Sequence, residues 1–169
     1  MDGYLQIYTG DGKGKSTAAF GLAIRARGAG LKVVVLQFIK NKTYSEHEML
    51  RKAGVEVRQY GCGLLFGRPP RPEDFESAAR GLEEVRRMFS EASADVLILD
   101  EVNIALSLGL AEEAAFLSIL DTKPPSMEVV CTGRRAPEKL LERADLITEM
   151  KAVRHYYESG VPARTGIEK

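Results

Sequence analysis

Thr9-Gly10-Asp11-Gly12-Lys13-Gly14-Lys15-Ser16-Thr17 decides how the rest of the chain is read. It follows Tyr4-Leu5-Gln6-Ile7-Tyr8, a short run rich in β-formers, and it opens an apolar stretch from Ala18 to Ala29. A strand, then a glycine-rich turn, then a helix start is the setting in which a phosphate-binding P-loop works. Glycines let the backbone bend so that successive N–H groups face one concavity. The helix N-terminus adds unpaired N–H groups and partial positive charge. Lys15 is then placed to reach terminal phosphates, and the Ser16 hydroxyl to ligate a bridging magnesium ion. The usual spacing has a glycine where this chain has Thr9, and Lys13 is an added lysine. The plainer alternative is a glycine-rich turn whose lysines are merely solvated. Two lysines, three glycines and the Ser16-Thr17 helix start weigh against it. A polyphosphate ligand is the working expectation.

The chain has 169 residues, which suits one domain spanning 1–169. With 44% hydrophobic residues it can bury a substantial core. Lys+Arg and Asp+Glu each number 24, so no basic excess argues for nucleic acid as the main partner. Cys62 and Cys131 have neither zinc-site nor CxxC spacing. That usage, with no signal peptide and no apolar run long enough to span a bilayer, predicts a cytoplasmic protein with no membrane partner.

Outward from the loop, Ser16 to Ala29 reads as a helix apolar on most sides, ended by Gly28 and Gly30. Lys32 to Phe38 is a near-continuous β-branched run, as expected of a strand buried on both faces. Ser45 with Glu48 three residues on suggests a capping box opening a short helix to Ala53. Val55 to Tyr60 alternates and predicts a more exposed strand. The glycine- and proline-punctuated loop Gly61 to Pro72 carries Leu64, Leu65 and Phe66, apolar cargo that either folds onto the core or covers a ligand. A long helix follows from Pro72 to near Ala94, with Phe75, Ala78, Ala79, Leu82, Val85, Met88 and Phe89 on its inner face.

Asp95 to Glu101 is an apolar strand ending in two carboxylates, Asp100 and Glu101. Alone that pattern is common. Downstream of a P-loop it predicts the pair that holds magnesium directly or through water. Helices over 103–110 and 111–120, a strand at Glu128 to Thr132, a short helix from Pro137 and a last strand from Asp145 complete the alternation. Thr132 and Arg134 then fall near the phosphates, unless the arginines pair with Glu138 or Glu142. The expected fold is α/β: an open, mostly parallel sheet with helices on both faces, of the P-loop NTPase (RecA-like) kind. Ligands bind such sheets at the carboxyl ends of the strands. Segments 9–16, 38–40, 61–66, 100–103 and 132–134 all fall on that rim.

These residues alone predict a protein that binds a nucleoside triphosphate with magnesium. They leave open an ATPase using a carboxylate such as Glu101, a nucleoside kinase, or a nucleotide-dependent module whose 64–66 loop docks a partner protein. The strings Thr9-to-Gly21, Gln37-Phe38-Ile39-Lys40, Leu99-Asp100-Glu101, Thr132-Gly133-Arg134 and Gly160-to-Ile167 occur together and in order. In this combination the chain resembles the P-loop ATP:corrinoid adenosyltransferases over nearly its whole length.

The resemblance implies adenosyl transfer from ATP to the cobalt of a reduced corrinoid, with triphosphate as leaving group. It implies that Thr9, Gly10, Asp11, Gly12, Lys13, Gly14, Lys15, Ser16 and Thr17 form the ATP loop, with Lys13, Lys15 and Arg134 stabilising the departing charge. Ser16, Glu101 and Asp100 would hold Mg2+, Thr132 would serve the phosphates, and Glu46 the nucleoside. Leu64 and Phe66 stand where enterobacterial members place a Phe and a Trp against the corrinoid. A homodimer and an electron-donating flavoprotein reductase are implied in the same way. Those members also carry an N-terminal segment over the site; here the 40–44 loop or the C-terminal tail is expected to cover it.

Overall fold

The chain's architecture is described by a computed structural model covering residues 2–63 and 68–168. Six strands, β1 (Leu5–Thr9), β2 (Val33–Phe38), β3 (Glu56–Tyr60), β4 (Val96–Asp100), β5 (Glu128–Thr132) and β6 (Leu146–Glu149), form one sheet. Its order is β3-β2-β4-β5-β1-β6, and every pairing is parallel. The helices are α1 (Lys15–Gly28), α2 (Ser45–Lys52), α3 (Pro72–Glu91), α4 (Val102–Ser107), α5 (Glu113–Leu120) and α6 (Glu138–Leu141).

Side chains alternate across a strand, so each strand feeds two cores. Val34, Leu36, Phe38, Leu97, Leu99, Val129 and Cys131 face one layer, packed with α3 to α6. Val33, Val35, Val96, Ile98 and Val130 face the other, packed with Ala19, Phe20, Ala23 and Ala26 of α1 and Leu50 of α2. Two-sided burial is why β2 and β4 read as near-continuous apolar runs. The edges differ: β3 is half-buried and β6 is exposed at all four positions.

Two local readings are corrected. The inner face of α3 is turned by one residue at its start: Asp74 and Ser77 are buried, whereas Phe75 (44%) and Ala79 are exposed. Asp74 is drawn in because it accepts two hydrogen bonds from Arg68 (2.6 and 2.8 Å) and one from the Arg71 N–H (2.8 Å). The cap of α2 is Tyr44 rather than Ser45, and the Tyr44 N–H donates to His47 Nδ1 at 3.4 Å, so the box is shifted by one.

Register delivers the chemistry to one rim. Gln37 lies beside Asp100, and Tyr8 beside Thr132, at the carboxyl ends of adjacent strands. The loop strand β1 and the carboxylate strand β4 are separated only by β5.

Glycine contacts give a test of this packing. A Cβ on Gly21 meets nothing within 4 Å, so Gly21→Ala in α1 should stabilise by about 0.5–1 kcal/mol. A Cβ on Gly81 in α3 would stand 2.5 Å from the buried Phe38 ring. Gly81→Ala should therefore destabilise by about 1–3 kcal/mol, because overpacking outweighs helix propensity. Urea denaturation should show the two midpoints moving in opposite directions.

Candidate active site

The loop is shaped by contact with the chain that leaves β6. The Gly12 N–H donates to the Met150 carbonyl (2.6 Å), and the Met150 N–H to the Thr9 carbonyl (2.9 Å). A Cβ on Gly10 would stand 2.5 Å from that Met150 oxygen, and one on Gly12 2.6 Å. Gly14, at φ 119°, turns the chain into α1. Glycine is thus required here by close approach at two positions and by backbone angle at a third.

Lys15 opens α1 and is buried, with Nζ donating to the carbonyls of Gly10 (2.7 Å) and Gly12 (2.6 Å). Burial, then the charge of Arg134, lowers its pKa, against the pull of Glu101 and Asp11. Arg134 itself lies 3.8 Å from Asp11, both largely exposed. Thr17 is exposed in the first turn of α1. Lys13 is engaged elsewhere: its Nζ is 2.9 Å from Glu168 and 3.1 Å from the Tyr156 hydroxyl.

Asp100 is fully buried at the end of β4. Its Oδ2 accepts from Gln37 Nε2 (3.0 Å) and Lys40 Nζ (2.8 Å), and its Oδ1 from the Thr132 hydroxyl (2.8 Å). Burial alone would raise its pKa. The charge of Lys40, with hydrogen bonds from Lys40, Ser16 and Thr132, reverses that and holds the carboxyl below its ordinary value. Burial would likewise lower Lys40, but Asp100 and Glu101 keep it above its ordinary value.

Glu101 behaves in the opposite way. Burial and the neighbouring Asp100 charge raise its pKa, only partly offset by Lys40, Lys15 and Arg134. Its backbone is left-handed (φ 60°), and its N–H donates to the Thr132 hydroxyl at 3.1 Å. Thr132 therefore sits between the two carboxylate residues, with no exposed surface.

The expected loop residues, Ser16, Asp100, Glu101, Thr132 and Arg134 are thus brought to one rim. Glu46 lies in the first turn of α2, where its charge acts on Lys40 and His47. Leu64 and Phe66 lie outside the described residues. Three residues carry more of the site than their types announced. Gln37 and Lys40 hold Asp100, and buried Asn103 donates to the Gly133 carbonyl at 3.0 Å. A glutamine in the apolar run of β2 was the available signal. Among the described residues no cluster of three or more His, Cys, Asp or Glu forms a metal cage. Ser16 and the adjacent carboxylates are hard oxygen donors, the kind that holds magnesium together with phosphate oxygens.

A phosphate loop between a parallel strand and a helix, with carboxylates ending a strand one place removed, defines a P-loop nucleotide-binding protein of the NTPase fold. Solved structures agree on the fold. The flagellar accessory protein FlaH from Methanocaldococcus jannaschii superposes with a TM-score of 0.53 at 18% identity, covering 88% of this chain and 71% of that one. A KaiC-like protein from Pyrococcus horikoshii gives 0.53 at 14% identity, covering 88% and 73%. Sequence narrows the class: residues 1–168 match the ATP:corrinoid adenosyltransferase BtuR/CobO/CobP family, and the chain belongs to it. Similar relatives are the corrinoid adenosyltransferases of Pseudomonas aeruginosa (36% identity, 98% of this chain and 83% of that protein) and Escherichia coli K12 (34%, 98% and 85%). The corrinoid adenosyltransferase CobA of Salmonella typhimurium is 33% identical over 98% and 85%.

The adjacent carboxylates should answer mutation with opposite signs. Asp100 is depressed, so its contribution is present above its unfolded value near about 3.9 and is lost as pH falls through the lower folded value. Asp100→Asn leaves the Lys40 ammonium without its ion pair and should cost about 3 kcal/mol near neutral pH. Glu101 is raised, so its contribution exists only below its unfolded value near about 4.3 and is lost as pH rises through the folded one. Glu101→Gln should therefore stabilise near neutral pH, and that gain should vanish below about pH 4. Urea midpoints of both variants at the two pH values check this.

Proposed function

We propose that this chain, acting as one domain, transfers the 5′-deoxyadenosyl group of ATP to the Co(I) centre of a corrinoid and releases tripolyphosphate. The observation that carries the reading is the whole-length family match on a chain whose P-loop and carboxylate pair share one rim. The Co(I) lone pair forms the new bond to the ribose C5′. The C5′–O bond breaks, its electron pair leaves with the triphosphate, and cobalt becomes formally Co(III). No side-chain nucleophile is needed, and no base to activate water. What the protein must supply is alignment of the two substrates and stabilisation of the departing charge.

The loop N–H groups, the N-terminus of α1 and Lys15 are suited to that charge. Lys15 already lies within the loop on the Gly10 and Gly12 carbonyls, so a phosphate oxygen would replace those weak partners without moving the backbone. Lys13 and Arg134 add charge at the lip. Ser16 with Glu101, and Asp100 through water, would hold a magnesium ion, which neutralises phosphate charge when bound. The saturation of Asp100 by Gln37, Lys40 and Thr132 favours Glu101 as the direct carboxylate. Thr132 would orient both. Glu46 is assigned to the nucleoside, and Leu64 and Phe66 to the corrinoid face, on the family resemblance. A homodimer, a cytoplasmic setting and a flavoprotein electron donor follow from the same resemblance; among the described residues no helix is long and apolar enough to cross a membrane.

An anaerobic assay with ATP, magnesium and pre-reduced cob(I)alamin tests the reading. A light-sensitive cobalt–carbon product with intact tripolyphosphate is expected. Orthophosphate without an adduct would instead identify a hydrolase. Lys15→Ala should lower kcat/KM by about 10²- to 10³-fold, the usual loss for one charge-stabilising donor.

A further inference from the structure

Lys13 is the residue that the phosphate-loop pattern does not require, and its side chain is engaged by a distant part of the chain. The polar tail beyond β6 folds back as a 3-10 turn, Tyr156–Ser159, followed by a short return to Glu168. Glu168 collects donors from two directions. Lys13 Nζ reaches it at 2.9 Å, Arg164 Nη2 at 3.1 Å and the Arg164 backbone N–H at 2.8 Å, and the Tyr156 hydroxyl also donates to it. Both cations lie against the Tyr156 ring, Lys13 at 5.8 Å and Arg164 at 5.0 Å from its centroid. Glu168 is the least exposed member, at 16%, against 40% for Lys13 and 49% for Arg164.

We propose that Glu168 is the positioning residue of Lys13, an internal anion that competes with the polyphosphate for this lysine, so that triphosphate binding releases the tail and tail return helps expel tripolyphosphate. The proposal rests on the reading of the P-loop as the triphosphate site. One carboxylate faces two cations, so the cluster keeps a net positive charge that draws a polyanion to the lip. An exposed ion pair shifts an equilibrium by only about two- to five-fold, which makes it exchangeable. A triphosphate offers several oxygens for charge-assisted bonds and outcompetes a single carboxylate. The loop itself does not depend on the latch. It is tied by backbone through Gly12 and Met150, and Lys15 has its own carbonyl partners. Glu168 is held well below the ordinary carboxylate range by Arg164, Tyr156 and Lys13, and Lys13 above its own ordinary value by Glu168 and Tyr156. The pair therefore stays charged through neutral pH, and the latch answers to polyphosphate rather than to protons.

Calorimetric titration with tripolyphosphate tests this on the full chain. Glu168→Gln should tighten binding by about two- to five-fold, and Glu168→Asp should restore part of the wild-type weakness. In a Lys13→Ala background the same Glu168→Gln change should bring no gain. Tryptic cleavage after Arg164 should accelerate when tripolyphosphate is added to the wild type, and should already be fast in Glu168→Gln. Unchanged or weaker binding in Glu168→Gln overturns the latch. So does a gain that persists without Lys13, which would mark a general loss of negative charge. If the wild type does not bind tripolyphosphate, or Lys15→Ala binds it equally well, the phosphate-site reading fails first and the latch falls with it.

Discussion

A carboxylate with no solvent contact can remain ionised only if its surroundings answer it completely, and Asp100 imposes that condition on the middle of this molecule. Its partners come from separate elements: Gln37 from β2, Lys40 from just beyond β2, Thr132 from β5 and Ser16 from α1. Those contacts are possible only with β2, β4 and β5 adjacent and in the observed register. A slip by one residue would turn Gln37 and Asp100 to opposite faces of the sheet. The network thus fixes the strand alignment that the surrounding apolar cores would tolerate less strictly. It also ties the first turn of α1 to β4, and so aims the phosphate loop at the carboxylate pair.

Left-handed backbone at non-glycine positions recurs on the rim. Ile39, Glu101 and Arg135 have positive φ (66°, 60° and 55°); the first two come directly after a strand, and Arg135 lies in the turn beyond β5. For a β-branched, buried residue such as Ile39 this conformation is costly. The turn after β2 reverses there, so that the Lys40 N–H donates to the Phe38 carbonyl at 2.7 Å and the Lys40 ammonium returns to Asp100. At Glu101 the same geometry directs the N–H to Thr132. The strain lies where the chain must bring a side chain back over the strand that it has just left, a placement that a regular helix start would not produce.

Much of this was legible in the residues because the signals were local or two-sided. Apolar runs gave β2, β4 and β5, alternation gave β3, and the glycine-lysine loop marked the turn that joins β1 to α1 at the rim. The missing parts depended on what lies across the sheet. Whether Asp74 or Phe75 turns inward is decided by Arg68, which periodicity does not weigh. That Gln37 serves a carboxylate requires knowing that β2 lies beside β4, although 63 residues separate the two. The C-terminal segment read as a polar tail, and nothing in its composition pairs Glu168 with a lysine 155 residues away. Polar side chains report their roles only through partners, whereas apolar ones report burial through spacing.

The cations of the site differ in how firmly they are held, and that gradient has a physical use. Lys40 is held by a buried carboxylate and belongs to the scaffold. Lys15 rests on two neutral carbonyls, partners weaker than any phosphate oxygen. Arg134 and Lys13, at the exposed lip, pair with Asp11 and Glu168 in contacts open to solvent and weakened by it. A polyanion entering this rim would therefore meet charges that become freer from the core outward, while the deepest pair stays fixed. Such an order keeps the reacting geometry preorganised and confines exchange to contacts worth little each. A leaving group as highly charged as triphosphate needs both properties, because a site that held it with uniformly strong contacts would also fail to release it.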